Sequence, residues 1–416
     1  MEKKKSILIL AESIQVEDSS GSKANVAFIK NLHKAGFVIT VYHYNRSVIF
    51  LPEIATTSVK ERKKIYYFLS RTQRIFQRIT GLMISKFLEN CFGFSFTFKN
   101  DVKSMVAALD HEKPENYDLI ITLSKGASYR THAALLKLPQ WHEKWLAYIH
   151  DPYPFHWYPP PYDWLESGHN QKEAFFLKIA QKAQFLGYPS RLLAEWMGRF
   201  NSLFEEKSVV LPHQVITSSE QSELPGYFKK EKFTVLHAGN LLKQRDPYPL
   251  IKAWEKFLEA NPEAHKNIQL LLIGPGSYHE PVLTKRCNQI SSIYRSSGYL
   301  KYATVQTLEK NAAVNMVLEA RAAISPFLPA KVPGLIQANH CILHLGPKKS
   351  ETRRLLGEDY PWVTAADDAE KITNLLLKLY DIWKENPHQL LLNRKDLEDY
   401  FSAEYLKKQI QYLCEN

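Results

Sequence analysis

The feature that most constrains the fold is the alternation of short apolar segments with helical segments along the whole chain. In the first half the apolar segments are SILIL (6–10), FVITVYHY (37–44), YDLIITL (117–123), WLAYIH (145–150) and SVVLPH (208–213). Strands that alternate with helices are typical of parallel βαβ units. Because these segments are so uniformly apolar, helices must cover both faces of their sheet. The first half is therefore predicted to be a doubly wound α/β domain.

The same alternation restarts after a polar segment, QVITSSEQSELPGYFKKEK (214–232), which contains Pro-Gly and lacks periodicity. The apolar segments of the second half are FTVLHAG (233–239), NIQLLLIG (267–274), AVNMVLE (313–319), CILHLG (341–346) and PWVTA (361–365). A chain of 416 residues is too long for one compact core. We therefore predict two Rossmann-like domains that face each other across a cleft, with ligands beyond the carboxyl ends of the strands.

The predicted domain boundaries follow from this pattern. The amino-terminal domain covers 1–215, a linker covers 216–232, and the carboxyl-terminal domain covers 233–390. The last segment, 391–416, is predicted to be helical and can pack back on the amino-terminal domain.

Cysteine spacing and hydropathy restrict the class of protein. The four cysteines, Cys91, Cys287, Cys341 and Cys414, lie far apart and form no Cys-x-x-Cys pair. This spacing argues against a zinc site or a disulfide framework and suits a reducing compartment. The first apolar stretch ends at Glu12, too early for a signal peptide, and no run of about eighteen apolar residues occurs. We expect a soluble, cytoplasmic protein.

The formal net charge of +11 indicates an anionic partner. Residues 60–90 carry eight Lys or Arg residues and only two Glu residues. Apolar side chains are interleaved with this charge at helical spacing: Phe68, Leu69, Ile75, Phe76, Ile79, Leu82, Met83 and Phe87. A basic amphipathic helix of this kind can dock on an anionic membrane surface, and the alternative is an ordinary solvated helix packed on its own domain. Nucleic acid is less favoured as a partner, since no binding motif accompanies the charge.

Four loops of the second half follow predicted strands and carry polar or glycine residues. These residues are Gly239, Asn240 and Arg245 after the first strand, Gly274 and Gly276 after the second, Glu319 after the next, and Pro329 and Lys331 in SPFLPAK. Glycine lets the backbone approach a ligand, and the free N–H groups at a helix N-terminus favour phosphate. One arginine, one lysine and a helix N-terminus that converge on one sheet edge would suit a diphosphate.

Taken in order, these loops resemble a known family. LHAGNLLKQRDPYPLIKAW, LLIGPG, NMVLE and SPFLPAKVPGLIQANHCILHLGPKKSETRRLL are similar to the donor-binding half of GT-B glycosyltransferases, in the retaining, family-four-like group of bacterial glycan assembly. YIHDPYP, YPSRLLAEWM and VVLPHQV extend the resemblance more loosely into the first half. The resemblance implies transfer of a sugar from a nucleoside-diphosphate donor to a glycan or lipid-linked acceptor, without a metal or further cofactor. No Asp-x-Asp follows a predicted strand.

The resemblance also implies roles for particular donor-side residues. Arg245 and Lys331 would neutralise the donor diphosphate, which is the leaving group. Asn240 stands where the family often has an arginine, so this diphosphate site would have one positive charge fewer. The stretch around Tyr299 and Leu300 resembles the one in which backbone groups read the nucleobase.

In the first half, His150 and Asp151 follow an apolar strand, at the place where relatives have acceptor-side or sugar-contacting groups. These two residues are therefore candidate catalytic residues. The alternative for His150 is a purely structural hydrogen bond. The aromatic run PYPFHWYPPPYDW (152–164) favours the functional interpretation, because exposed aromatic rings stack on sugars.

One position departs from the family pattern. Relatives have a glutamate that holds the ribose hydroxyls where this chain has Gly334. Either another carboxylate holds the ribose, with Glu319 as the nearest candidate, or the site has lost its donor. The alternative for Glu319 itself is an ordinary surface charge.

Three functions remain after this sequence comparison. We expect a working glycosyltransferase with an altered ribose contact. The second possibility is a non-catalytic GT-B protein that binds a glycan or a partner enzyme. The third, nucleic-acid binding, rests on charge alone.

Overall fold

The computed structural model describes residues 4–45, 47–82, 84–152, 165–216 and 222–415. The chain forms two compact units. The first unit contains the described residues up to 216 together with 401–415, and the second contains 222–400. The chain thus returns to the first unit after completing the second.

The first unit contains a sheet of seven parallel strands in the order β3-β2-β1-β4-β5-β6-β7. Its strands are β1 (Ser6–Ala11), β2 (Val38–His43), β3 (Ala55–Ser58), β4 (Leu119–Leu123), β5 (Trp145–Tyr148), β6 (Phe185–Tyr188) and β7 (Ser208–Val210). The four described helices before β4 are α1 (Ser20–Lys34), α2 (Ile65–Thr80), α3 (Ile84–Phe92) and α4 (Phe96–Leu109). The later helices are α5 (Arg130–Leu135), α6 (His169–Lys182), α7 (Arg191–Gly198), α8 (Leu203–Glu206) and, at the end of the chain, α16 (Ala403–Glu415), which packs against α1.

The second unit contains a sheet of six parallel strands in the order β10-β9-β8-β11-β13-β15, and β12 pairs with β14 beside it. Its strands are β8 (Phe233–Ala238), β9 (Ile268–Ile273), β10 (Ile293–Arg295), β11 (Val314–Leu318), β12 (Ile324–Ser325), β13 (Cys341–Leu345), β14 (Lys349–Ser350) and β15 (Val363–Thr364). Its helices are α9 (Tyr248–Ala260), α10 (Glu280–Gln289), α11 (Tyr302–Asn311), α12 (Val332–Ala338), α13 (Glu351–Leu356), α14 (Ala369–Glu385) and α15 (Lys395–Tyr400).

The central strands of the second unit are buried on both faces, as their sequences require. Every residue of β9, β11 and β13 is buried. On one face, Trp254 and Phe257 of α9 pack with Tyr380 of α14 in a core that includes Leu270 and Leu343. Replacing a buried aromatic side chain of this kind by alanine costs about 3–5 kcal/mol.

The predicted fold class is confirmed, since both halves form parallel Rossmann-like sheets. Sequence periodicity did not predict β3, β6 or β10, nor the two-residue strands β12 and β14. The sequence of β3, ATTS, is polar and lies at an edge of its sheet; β6 is short and contains a glycine; β10 has three residues at the other sheet's edge. Strands this short carry too few core-facing side chains to show a pattern, whether they lie at an edge or, like β6, inside the sheet.

The basic region 60–90 forms two helices, where its spacing suggested one. α2 ends at Gly81, whose φ of 70° is left-handed and whose N–H donates to the carbonyl oxygen of Gln77 at 3.0 Å. Such a residue ends a helix, and glycine adopts this conformation without strain. Met83, one of the predicted apolar positions, lies outside the described residues. In the part of the chain that the structure describes, no helix is long and apolar enough to span a membrane.

Candidate functional site

The loops that follow β8 and β9 are joined at the carboxyl edge of the second sheet. The N–H of Gly239 donates to the carbonyl oxygen of Ile273 at 2.8 Å, and that of Leu241 donates to Pro275 at 3.0 Å. Gly274 has a φ of 124°, and a Cβ atom there would lie 2.5 Å from the carbonyl oxygen of Gly239. Only glycine fits at this crossing. The structure thus brings the two predicted loops together.

Gly276 has a different role from the two glycines at the crossing. A Cβ atom on it would lie 2.8 Å from Cδ1 of Leu283, which is fully buried. The absence of a side chain at Gly276 therefore lets the loop pack on α10. Packing explains this glycine without reference to a ligand.

Lys331 points back from the start of α12 toward the same edge. Its Nζ atom donates to the carbonyl oxygen of Met316 at 2.8 Å and lies 3.3 Å from Nδ1 of His237. A Cβ atom on Gly239 would be 3.9 Å from this Nζ atom. Burial and the positive charge of Arg245 lower the pKa of Lys331 to about 7.

Arg245 and Lys331 carry the positive charge of this site, and the carboxylates of Glu309 and Glu319 act on Lys331 without forming an ion pair with it. Among the described residues, neither side chain has a carboxylate partner in an ion pair. The Nε atom of Arg245 is buried and has no hydrogen-bond partner in the described part of the chain. Two like charges held together in this way favour an anion.

His237, which sequence analysis did not single out, completes this site. It is the penultimate residue of β8 and is 1% exposed. Burial and the charges of Lys331 and Arg245 hold the pKa of His237 well below its ordinary value, so its imidazole stays neutral. Its Nε2 atom has no hydrogen-bond partner among the described residues and would lie 3.5 Å from a Cβ atom on Gly239. A polar residue near the end of an apolar strand was the available signal.

Asn240 and Tyr299 meet across the same edge. The Nδ2 atom of Asn240 donates to the hydroxyl oxygen of Tyr299 at 2.9 Å, and the tyrosine is 73% exposed. Ser296, another residue that sequence analysis missed, accepts from the N–H of Gly274 at 2.8 Å and donates to the carbonyl oxygen of Gly298 at 2.7 Å. The Tyr299 stretch is thereby tied to the β9 loop.

Two other predicted donor-side residues, Leu300 and Pro329, interact with neighbouring residues of the protein itself. The side chain of Leu300 packs against the apolar cluster that contains Leu236 and Leu271. Pro329 is half-buried, and its carbonyl oxygen accepts from the N–H of Val332 at 2.9 Å. Leu300 can therefore offer a ligand only its backbone, and Pro329 shapes the turn that leads to Lys331.

Glu319 is a buried residue and is not a surface charge. It is 3% exposed, and its Oε1 atom accepts from Oγ1 of Thr352 at 2.9 Å and lies 3.4 Å from Nε2 of His344. Burial alone would raise the pKa of Glu319, but His344, Thr352 and Ser325 outweigh it and lower the pKa. The Oε2 atom is buried and has no partner within the described ranges. One oxygen is therefore engaged and the other is not.

A second carboxylate lies beside Gly334. A Cβ atom on Gly334 would be 3.5 Å from Oε2 of Glu309, a residue of α11 that is 5% exposed. Helices α11 and α12 pack together at this point. Glu309 also acts on Lys331, where its negative charge raises the pKa more than Glu319 does. Local sequence did not reveal this residue, because it belongs to a different helix.

In the first unit, His150 is buried beneath the surface of the sheet edge. Its Nε2 atom lies 3.1 Å from Oδ1 of Asn25, and its ring stacks on His213 at a centroid distance of 5.8 Å. Burial, together with His213 and His132, holds the pKa of His150 well below its ordinary value. This imidazole is neutral at neutral pH. It can therefore orient a ligand or accept a hydrogen bond, but it is not protonated to act as a general acid.

Asp151 and the aromatic run complete the predicted first-unit candidates. Asp151 is half-buried, and its main-chain oxygen accepts from the hydroxyl of Tyr129 at 2.9 Å. A carboxylate oxygen of Asp151 would lie 3.8 Å from a Cβ atom on Gly126. Within the aromatic run, residues 153–164 lie outside the described part of the chain.

Sequence analysis missed a buried charge cluster at the carboxyl ends of β1 and β4. Arg130 donates to the carboxylate of Glu12, and its Nε atom lies 2.9 Å from Oδ2 of Asp101. Glu12 also accepts from the N–H of Lys125 at 3.1 Å and from the hydroxyl of Ser128. Burial raises the pKa of Asp101 despite these partners. The cluster fixes the loop after β4 to the end of β1.

Comparison with known protein families finds no match, and neither does comparison with curated proteins. Solved structures do match. A glycosyltransferase from Rickettsia africae has a TM-score of 0.61 at 12% identity, over 100% of this chain and 98% of that chain. An E. coli trehalose-6-phosphate protein bound with UDP-2-fluoro glucose has a TM-score of 0.64 at 10% identity, over 99% of both chains.

An alpha,alpha-trehalose-phosphate synthase (UDP-forming) from Burkholderia vietnamiensis has a TM-score of 0.65 at 9% identity, over 99% of this chain and 97% of that chain. At such identities the similarity establishes the fold. The chain has the GT-B glycosyltransferase fold, with one seven-stranded and one six-stranded parallel sheet.

Proposed function

We propose that this protein is a glycosyltransferase that moves a sugar from a nucleoside-diphosphate donor to a glycan or lipid-linked acceptor. The observation that supports this most directly is the pairing of Lys331 with Arg245 beside the glycine crossing, without a carboxylate partner among the described residues. A diphosphate would supply the anionic ion-pair partner that the two side chains do not have among the described residues. The similarly folded E. coli protein is bound with UDP-2-fluoro glucose, which fits this donor class.

In the proposed reaction the diphosphate is the leaving group, and it gains negative charge as the bond to the sugar breaks. Arg245 and the ammonium form of Lys331 stabilise that charge, since preorganised cations lower the energy of a charged transition state. The neutral imidazole of His237 holds Lys331 in place at 3.3 Å without competing for the anion. We propose a metal-independent reaction with retention of configuration, in which His150 and Asp151 contact the sugar or the acceptor.

The ribose contact of the donor requires a carboxylate from elsewhere than Gly334. We propose Glu319, whose Oε2 atom has no partner in the described chain and can accept from a ribose hydroxyl. Glu309 is the second candidate, since its carboxylate lies beside Gly334. Charge-assisted hydrogen bonds of this kind contribute about 1.5–3 kcal/mol.

A non-catalytic GT-B protein that binds a glycan or a partner enzyme is the alternative function. Two hydrogen bonds within the protein favour it, that of Lys331 to Met316 and that of Thr352 to Glu319. They engage two of the side chains that we propose to bind the nucleotide sugar. Thermal unfolding with a panel of UDP-, GDP- and dTDP-sugars separates the two functions. A donor present at about 100 times its dissociation constant adds roughly 2.7 kcal/mol to the free energy of unfolding. The alternative predicts no stabilisation by any sugar nucleotide.

We further propose that α2 and α3 dock the protein on an anionic membrane surface. In α2 only Ser70 is buried, and in α3 no described residue is. Phe68, Ile75 and Ile79 are 61%, 59% and 78% exposed. These exposed apolar side chains, interleaved with arginines, are the composition that binds at a lipid interface.

A further inference from the structure

The first unit contains a cavity of about 640 Å³ between α4, α5 and α6. Small-molecule sites have volumes of roughly 300–1,000 Å³. Three aromatic rings form much of its wall. Phe94 stacks on Phe98 with centroids 4.2 Å apart, and Phe175 meets Phe94 edge-on at 5.0 Å. Val102 and Leu136 extend the apolar lining.

The rim of this cavity is positively charged. Lys99, Lys103, Lys137 and Lys178 line it, whereas no aspartate or glutamate does. Within the described chain, none of these lysines forms an ion pair with a carboxylate. The Nζ atom of Lys99 lies 4.7 Å from the ring centre of Phe92, and that of Lys103 lies 4.3 Å from that of Tyr66. Four uncompensated ammonium groups around one opening attract an anion.

The division between wall and rim identifies the class of ligand. Phe98, Val102 and Phe175 are buried, whereas Lys103 and Lys137 are exposed. Aromatic rings stack on one face of a sugar, but a sugar or a peptide inside this cavity would also place hydroxyl or amide groups against Val102 and Leu136. Each group left without a partner there would be unfavourable. An aliphatic chain has no such groups. A ligand with an aliphatic chain and an anionic end matches both parts.

We propose that this cavity binds a single-chain anionic lipid, with the chain against the phenylalanine wall and a phosphate at the lysine rim. The source we infer is a membrane surface. Tyr66 lines the cavity and belongs to α2, the helix on which Phe68 and Ile79 are exposed apolar side chains. Every residue that lines the cavity belongs to the first unit, and the test measures binding and not sugar transfer.

The test is calorimetric titration of the full chain with hexadecyl phosphate below the concentration at which it forms micelles. Hexadecylphosphocholine, which has the same chain and no net charge, and inorganic phosphate are the two comparison ligands. We expect hexadecyl phosphate to bind at least tenfold more tightly than the phosphocholine ester and inorganic phosphate not to bind. Equal affinity for the two amphiphiles, comparable binding of inorganic phosphate, or no binding at all would overturn the proposal.

Substitutions locate the binding site. Ala174→Trp fills the cavity from an exposed position of α6, and Gln181→Trp adds the same side chain at an exposed position of α6 outside it. We expect Ala174→Trp to weaken hexadecyl phosphate binding at least tenfold and Gln181→Trp to leave it unchanged. If Ala174→Trp has no effect, the amphiphile binds elsewhere and the cavity assignment is wrong.

Charge reversal tests the rim. Lys137→Glu with Lys178→Glu should weaken binding by roughly fivefold for each ammonium group removed. The control with the same net charge combines Lys30→Glu with Lys182→Glu, both exposed and outside the cavity lining. Equal losses in the two double variants would show that only the overall charge matters, which contradicts a phosphate site at this rim.

Discussion

The Oε2 atom of Glu309 lies 3.5 Å from the point that a Cβ atom on Gly334 would occupy. Glu309 belongs to α11 and Gly334 to the neighbouring helix α12. A carboxylate already stands in the space into which a longer side chain at 334 would extend. Any acidic side chain introduced at the half-buried position 334 would meet the like charge of Glu309, which is 5% exposed.

Gly334→Glu is therefore expected to destabilise the second unit by about 1–3 kcal/mol, because it sets a like charge against the buried carboxylate of Glu309. Thermal or denaturant unfolding measures the change. Gly334→Ala is the matched control, and it should stabilise by up to about 0.5–1 kcal/mol, since alanine favours the helical conformation over glycine and 3.5 Å is an ordinary contact. Adding Glu309→Gln to Gly334→Glu should restore stability. If the single acidic variant is as stable as wild type, the two carboxylates do not meet.

Lys331→Ala and Arg245→Ala should each lower turnover by about two to three orders of magnitude. Losing one preorganised stabiliser of developing charge costs roughly 2.7–4 kcal/mol in the transition state. Turnover is measured with the donor that the stabilisation panel identifies. Lys243→Ala removes an exposed cation from the same loop and should have little effect. Near-wild-type turnover in both site variants would eliminate the proposed donor site.

Nucleotide affinity should decrease as pH rises through neutrality, because the pKa of Lys331 is about 7 in the free protein. Below that pKa the side chain is an ammonium group and attracts the diphosphate. Above it the bound anion must draw a proton onto the amine, so affinity falls until the higher pKa of the bound state is reached. UDP titrations between about pH 6 and pH 9 measure the slope. Lys331→Met should flatten it, whereas an unchanged slope in that variant would assign the titration to another group.

Glu319→Gln should weaken donor binding by roughly one to two orders of magnitude, because it removes a charge-assisted hydrogen bond to the ribose. A 2′,3′-dideoxy donor should bind wild type about as weakly, and the two losses should not add. Thr352→Val is the control, since it removes the internal hydrogen bond of Glu319 and leaves the charge. If Glu319→Gln leaves affinity intact while Glu309→Gln lowers it, Glu309 holds the ribose.

Reversing Arg71, Arg74 and Arg78 together should release the protein from anionic vesicles. Each cation near such a surface contributes about 1 kcal/mol. Vesicle sedimentation measures the bound fraction. Reversing Lys252, Lys256 and Lys285, which are exposed on α9 and α10 of the second unit, gives the same net charge and should leave binding unchanged. Equal pelleting of wild type with anionic and neutral vesicles would reduce α2 to an ordinary solvated helix.

Sequence periodicity was sufficient to predict that each half forms a parallel sheet and to find its long strands, because apolar strands such as β9 must be covered on both faces. It was also sufficient to place Gly239, Gly274, Arg245 and Lys331 after strands, where the loops of a parallel sheet meet. It did not predict which side chains from other helices and strands contact these residues.

His237, on strand β8, contacts Lys331 at the start of α12. Glu309, on α11, lies beside Gly334 on α12. Such contacts depend on how elements pack, and residues far apart in sequence leave no local pattern. The engagement of Glu319 by Thr352 belongs to the same class.

The return of the chain to the first unit has a consequence for biosynthesis. Helix α16 packs on α1, although the whole second unit lies between them in sequence. At roughly 5–20 residues per second, the ribosome needs on the order of ten seconds or more to pass from 216 to 401. During that interval the face of α1 that α16 covers stays open, so the emerging second unit completes its own sheet while the first still lacks a helix. Nascent chains halted before 401 should therefore be captured by chaperones through their first unit, and released chains that contain α16 should escape them.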